Sequence, residues 1–341
     1  MSPEARRRRP TLEEVALHAG VSRASASRVV NGIDTVAPGI RAAVLRSVRE
    51  LGYVPNQAAR SLVTRRTDLH ALVLPEPAPR VFSDDQFFWT LLVGASDELE
   101  AAGKQLVLML ATSEGSRRRI ERSALAGHVD GLLFASTHGE DPLPAALTAV
   151  GVPVVVNGRP LHDADEVTWV DVDHAGGVRS AVEHLLASGR RRLATIAGPQ
   201  DMVAGLERLA AVRASWGAEI GAQDLEVELG DFTRDSGRTA MERLLARAPG
   251  LDAVFVASDL MAEGALAALA AAGRGVPDDV AVVGFDDVAR AATTDPPLTT
   301  VHQPIEEIGR TMARLLLAQE EGDRRPTSRL LPTELVVRRS S

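Results

Sequence analysis

The 341-residue sequence contains no cysteine. That absence excludes disulfides, thiolate nucleophiles and cysteine-bound metals together, and fits a reducing compartment. Aromatic residues are scarce, with 3 Trp, 1 Tyr and 7 Phe making 3 + 1 + 7 = 11, so any cluster of them is conspicuous. No apolar run approaches the roughly 20 residues of a membrane helix; the longest, such as Leu106 to Leu110, are strand-sized. Arg6 to Arg9 are followed by mixed polar residues rather than an apolar signal core, so export is not expected and a cytoplasmic location is. Glycine-rich phosphate motifs are missing, and the 8 histidines are scattered singly. Asp286 and Asp287 are adjacent at a strand end, so their side chains should diverge rather than act as a catalytic pair. These absences predict no catalytic residues, no metal and no cofactor.

What is present is an ordinary globular composition, 45% apolar, in a chain long enough for more than one core. The net charge of −8 is unevenly spread: residues 1–66 hold 12 Arg against 5 acidic residues (12 − 5 = +7), and the remainder holds 26 basic against 41 acidic (26 − 41 = −15). A small basic head on an acidic body suits a protein that approaches phosphates with the head alone.

Thr11 and Glu14 stand at capping-box spacing, with Leu12, Val15 and Ala16 at helical intervals, which predicts a short helix over 11–19. Gly20 suits a left-handed turn, and Ser22 is placed to cap a second helix reaching Val30. Two short helices about a glycine turn are a helix-turn-helix. A third helix, about Ile40 to Leu51, should bury Ile40, Val44, Leu45, Val48 and Leu51 against the other two. Pro55 interrupts, and the segment from Asn56 to Leu62 is a short helical candidate unable to stand alone.

From about Leu69 apolar runs alternate with helical stretches: Ala71 to Leu74, Leu106 to Leu110, Gly131 to Ala135, Val154 to Val156, Trp169 to Val172, Leu193 to Ala197, Ala253 to Ala257 and Val280 to Phe285. The alternation predicts parallel sheets, and the number of strands predicts two doubly wound subdomains. The expected division is a basic arm over 1–9, a helix-turn-helix domain over 10–55, a hinge helix and linker over 56–66, and a ligand-binding and dimerisation body over 67–341.

The motifs Thr11-Leu12-Glu13-Glu14-Val15-Ala16, Gly20-Val21-Ser22, Ser27-Arg28-Val29-Val30-Asn31-Gly32 and Leu51-Gly52-Tyr53-Val54-Pro55-Asn56 together resemble the lactose-repressor (LacI/GalR) family. The likeness continues through Gly198-Pro199, Arg208, Ser258-Asp259, Gly284-Phe285-Asp286-Asp287 and Leu298-Thr299-Thr300-Val301, and so covers nearly the whole chain. It implies an all-α DNA-binding head joined to a body like periplasmic binding proteins. It also implies a sequence-specific regulator, a repressor by expectation, controlled by a small effector, expected to be a sugar.

By residue type alone, Arg23 and Arg28 are solvated helix charges, phosphate contacts or guanine readers. The resemblance places Arg23, Ala24 and Arg28 on the face of the second helix that enters the major groove. It matches Thr11, Leu12, Ser22, Ser25, Ser27, Asn31, Tyr53 and Asn56 to DNA-contacting positions. Leu62 corresponds to the leucine that wedges into the minor groove, and Ala59 to the small residue where paired hinge helices meet. Such unstacking is recovered only when two heads engage one bent site, so a homodimer on a near-palindromic operator is expected. No leucine-heptad tail follows Arg339, which favours a dimer over a tetramer. Ala37 and Ala26 depart from the family pattern, replacing a usual cap and a larger aliphatic residue.

In the body, the resemblance assigns Phe88, Phe232, Arg208 and Asp286 to the effector, with Ser258, Gln303 and Arg159 as further candidates. Arginine and carboxylate at opposite strand ends suit a polyol whose hydroxyls accept from one and donate to the other. Ala211 and Val212 replace a glycine and an aromatic after Arg208, which predicts a changed pocket wall, and Asp259 is a candidate cap for the following helix. A second reading is a sugar-binding receptor-like protein without DNA readout, for which the export signal is missing.

Overall fold

The computed structural model describes residues 10–31, 35–54, 66–83, 85–219 and 225–341. The expected arm over 1–9, Pro55, and the hinge residues Asn56, Ala59 and Leu62 lie outside the described residues. Contacts divide the chain between Thr67 and Asp68.

The head comprises α1 (Leu12–His18), α2 (Arg23–Val30) and α3 (Pro38–Leu51). Thr11 and Glu14 close the capping box in both directions, Glu14 N donating to Thr11 Oγ1 at 3.3 Å and Thr11 N to Glu14 Oε2 at 2.7 Å. Gly20 takes a φ of +65°, and Ser22 caps α2 by accepting from Ser25 N at 3.1 Å. Val15, Ala16, Ala26, Val29 and Val44 form the core. Ala26 is fully buried despite its small size, and Ala37 makes no side-chain cap, so α3 starts on the preorganised φ of Pro38 instead. One expectation is corrected: Leu45 is 41% exposed, while Ser47 takes a buried place, its hydroxyl 3.0 Å from His18 Nδ1.

The body runs β1 (Leu69–Leu74), α4 (Ala78–Val81), α5 (Gln86–Ala101), β2 (Gln105–Leu110), α6 (Glu114–Leu125), β3 (Gly131–Phe134), α7 (Leu143–Ala149), β4 (Val154–Asn157) and β5 (Thr168–Val172). There follow α8 (His174–Ala187), β6 (Leu193–Ala197), α9 (Val203–Glu219), β7 (Glu226–Leu229), α10 (Arg234–Arg247), β8 (Ala253–Val256), α11 (Asp259–Ala271) and β9 (Ala281–Asp286). The chain ends with β10 (Thr299–His302), α12 (Ile305–Glu321), β11 (Ser328–Leu331) and β12 (Glu334–Val336). One sheet has the order β11-β5-β4-β3-β1-β2 and the other β12-β10-β9-β8-β6-β7. The chain therefore passes between subdomains after β5, after β10 and between β11 and β12.

β1, β3, β8 and β9 are almost wholly buried because helices cover both faces, which is why their sequences are continuous apolar runs. β7, β11 and β12 are partly exposed edge strands without such runs, so the pattern of apolar runs does not reveal them. β12 pairs antiparallel with β10, so the second sheet is mixed rather than wholly parallel. A Cβ at Gly94 on α5 would lie 2.0 Å from Glu306 O, and one at Gly309 on α12 would lie 2.2 Å from Leu91 O, so this helix crossing depends on both glycines.

Candidate functional site

On α2 the two buried side chains, Ala26 and Val29, turn Arg23, Ala24 and Arg28 to solvent. Arg23 Nε lies 2.5 Å from Glu13 Oε1 in an exposed pair. Such a pair contributes little and releases its arginine readily to a stronger anionic partner. Ser22 and Ser25 hydroxyls lie 3.0 Å apart, and Asn31 Nδ2 donates to Ser27 Oγ at 3.3 Å. Leu12 and Tyr53 pack against the head core, and Gly52, at φ +62°, ends α3 before Tyr53. The exposed face is thus short, cationic and rich in hydroxyl and amide donors.

In the body, carboxyl-terminal strand ends from both sheets converge on a cavity of about 100 Å³ lined by Phe88, Arg159, Arg208, Phe232, Ser258, Asp286 and Gln303. These are the seven body positions singled out by sequence, and the fold brings all seven together. Phe88 belongs to the first turn of α5 and is also buried in the core; Phe87 beside it lines the same cavity. Phe232 sits at φ +66° with its ring against Gly198, where an added Cβ would be 2.3 Å from Phe232 Cζ. Gly198 therefore makes room for the aromatic wall.

Arg208, buried on α9, is held by four partners. Its Nη1 donates to Ala257 O at 2.6 Å and lies 3.5 Å from Asp286 Oδ1, its Nε donates to His174 Nδ1 at 3.2 Å, and its guanidinium carbon lies 3.7 Å over the Phe285 ring. Because Nδ1 accepts, the ring hydrogen of His174 is on Nε2, 3.0 Å from Asp171 Oδ1. Asp286 also accepts from Gln303 Nε2 at 2.6 Å.

Burial pushes the Asp286 carboxyl up to about 7, opposed by Arg208 and reinforced by Asp85. Asp259 is raised by burial and then by the charge of Asp286. Asp259 is the first residue of α11, whereas Ser258 is its cap; Asp259 instead accepts from Thr300 Oγ1 at 2.5 Å and Val288 N at 3.1 Å. Burial alone would raise Asp171, but His174 and the amides of Arg159 and Val172 outweigh it and hold the carboxyl below its ordinary value. Asp287 points elsewhere, to Arg338 Nη2 at 2.6 Å, so the adjacent carboxylates do diverge.

Four contacts tie the two lips of the cleft. Arg80 Nη1 donates to Asp231 O at 2.7 Å, Gly139 N to Asp201 O at 2.7 Å, His138 Nδ1 lies 2.9 Å from Asp201 Oδ2, and Arg159 Nη2 lies 2.5 Å from Glu207 Oε1. The Glu76 hydrogen bond, with help from Asp201 and against the effect of burial, raises the His138 pKa. Glu76 is lowered in turn: burial would raise it, but His138, Ser136 and Arg80 prevail. Arg159 is thus a bridging residue as well as a lining one.

Sequence reasoning missed Asp85, Asn157, Asp171 and His174, all lining the cavity. Asp85 had a local signal, an acidic cap just before Gln86-Phe87-Phe88, and it accepts from Phe87 N at 3.0 Å. His174 stands three residues after its partner Asp171, but its link to Arg208, 34 residues away, has no local signal. Ala211 and Val212 pack into the core and do not line the cavity, so the expected change of pocket wall does not occur there. Asp171, His174 and Glu207 bring ligand atoms within 4.8 Å of one another. Both His174 nitrogens and Glu207 are engaged by Arg208, Asp171 and Arg159, so the group forms an ion-pair network, not an open donor set.

A helix-turn-helix followed by a two-subdomain cleft defines a ligand-responsive DNA-binding regulator. Similarity to known proteins agrees. Residues 11–56 match the family model for bacterial regulatory proteins of the lacI family, and residues 182–341 match that for a periplasmic binding protein-like domain. The chain belongs to the lacI family of bacterial transcriptional regulators. It is 51% identical over 338 residues to the HTH-type transcriptional regulator CelR of Thermobifida fusca, covering 98% of this chain and 99% of that one. It is 32% identical over 336 residues to the ribose operon repressor of Escherichia coli (strain K12), covering 97% and 99%. Among solved structures, a CelR–cellobiose complex matches with TM-score 0.77 at 48% identity, covering 98% of this chain and 100% of that one. The lac repressor dimer bound to operator and the anti-inducer ONPF matches with TM-score 0.86 at 27% identity, covering 98% and 99%. Among the described residues no helix is long and apolar enough to cross a membrane.

Proposed function

We propose that this protein is a cytoplasmic, homodimeric, non-enzymatic repressor that binds a near-palindromic operator and changes its DNA affinity when a neutral sugar, cellobiose being the first candidate, enters the cleft. The working division is a head over 10–55, a hinge over 56–66 and a body over 67–341. The observation that carries the sugar reading is the cavity's chemistry: Asp85 and Asp286 supply acceptors, Arg208 and Gln303 supply donors, and Phe87, Phe88 and Phe232 supply apolar faces. Acceptors and donors in balance suit a polyol, which carries both on every hydroxyl and no charge. Cellobiose, the sugar in the CelR complex, is a ligand of this chemistry.

In the head, Arg23, Ala24 and Arg28 would face base edges, with Thr11, Leu12, Ser22, Ser25, Ser27, Asn31 and Tyr53 positioning the domain. Asn56, Ala59 and Leu62 complete the proposed set in the hinge. Effector binding need only couple to the DNA site by about 1–3 kcal/mol to change operator affinity some 5- to 150-fold.

The test is protection of fragmented genomic DNA by the purified protein at fixed salt, with and without cellobiose. A protected near-palindrome, lost on Arg28→Ala and altered in occupancy by cellobiose, is the expected outcome. No discrete protected site in either condition refutes the DNA reading; protection indifferent to cellobiose and to other neutral sugars refutes the effector reading.

A further inference from the structure

A second cavity, of about 210 Å³, opens beside the first. The two share Thr137, Arg159 and Val203, so they are compartments of one cleft. The outer compartment lies between the segment after β3, the start of α7 and the segment joining β4 to β5. Pro142, Pro160 and Leu161 give it apolar plates. Its charged groups are mostly paired already: Glu140 with His162 at 2.8 Å, Asp141 with Arg117 at 3.5 Å and Arg159 with Glu207 at 2.5 Å, while Asp163 stands at the rim.

We infer that this outer compartment is the subsite for the second glycosyl unit of the effector, so that the protein measures saccharide chain length. The inference rests on the sugar reading above. The inner compartment concentrates the directional polar groups, which fix one ring; the next ring can extend past Thr137 and Arg159, which line both compartments. Apolar plates edged by polar side chains already paired with one another match a pyranose, whose C–H faces are apolar and whose hydroxyls ring the edge. A charged ligand would have to break an existing pair to find an opposite charge among those three.

The experiment is calorimetric titration of the full-length dimer with cellobiose and with glucose, for the wild type, Ala145→Trp and Leu161→Ser. Ala145 lines only the outer compartment, and tryptophan there should fill it. The wild type should bind cellobiose at least about tenfold more tightly than glucose, a difference of about 1.4 kcal/mol. Ala145→Trp should erase that advantage while sugar-free operator affinity stays at its wild-type value. Leu161→Ser, a milder change at an exposed residue, should reduce cellobiose affinity several-fold and leave glucose affinity alone. Unchanged cellobiose affinity in both variants overturns the subsite while leaving the sugar reading standing. Absence of any saccharide binding to the wild type overturns the sugar reading and this inference with it.

Discussion

The head and the body use charge in opposite ways. In the head, Arg23 and Arg28 lie on the outer side of α2, over a core of five small buried side chains. In the body, Arg208 is buried and engaged by a carbonyl, a histidine, a carboxylate and an aromatic face. The first arrangement keeps side chains available for phosphates and bases at little cost to the fold. The second builds a rigid, preorganised site, in which Arg208, Asp286 and Gln303 line the cavity and also brace one another. Function and stability should therefore separate in the head and be inseparable in the body.

The severest challenge to this contrast is Arg208→Met. Removing one partner of a buried charge network typically costs about 3–5 kcal/mol, and denaturant unfolding of the full chain should show a loss of that order. The loss should be greatest above pH 7. Asp286, whose folded pKa of about 7 lies above its ordinary 3.8, is mostly neutral in the fold below 7 and leaves the mutation little charge pairing to break; above 7 it is ionised and depends on Arg208, which lowers its pKa. A stability change no larger than that of a surface mutation would sink the claim that Arg208 holds the site together.

The matching change in the head is Arg28→Ala. Operator affinity at fixed salt should fall by about 1–3 kcal/mol, with the unfolding midpoint unmoved. If stability falls along with binding, Arg28 is part of the fold, and the separation proposed for the head is wrong.

Thr11→Ala probes the same contrast from the other side, since it touches the head's architecture. Loss of the reciprocal cap should cost about 1 kcal/mol, read in the thermal unfolding of the head, without altering the base preference of the operator.

The smallest effect belongs to His138. Its raised pKa means that the stability it contributes is complete below 6.5 and is lost as pH rises through the raised value; Glu76, being lowered, contributes above 4.5 and loses its share as pH falls through its own lowered value. The wild type should exceed His138→Gln by about 0.2–1 kcal/mol at about pH 6, and thermal midpoints of the two should converge as pH is raised. A gap that widens with pH contradicts the Glu76–His138–Asp201 arrangement.

Much of this was legible in the chain itself, because it depends on neighbours in sequence. Thr11 and Glu14 are three residues apart, Gly20 and Ser22 bracket one turn, and strands buried on both faces must be written as apolar runs. Arg208 and Asp286 were legible because their motifs are local, on α9 and at the end of β9. Where burial is partial the signal fades: β11 and β12 lie at sheet edges, and on α3 Leu45, expected inside, is exposed while Ser47 is buried, where a histidine on α1 offers the serine a partner.

Local sequence suffices for the helix-turn-helix, the alternation of strands and helices, and the basic head on an acidic body, since caps, periodicity and local charge act over a few residues. Long-range packing was needed for His174 to fix Arg208, for His138 and Arg159 to bridge the cleft, and for a second compartment to open beside the first. Each of those depends on residues tens of positions apart meeting at the ends of two different sheets, and no local pattern encodes such a meeting; it follows from the packing of both cores at once.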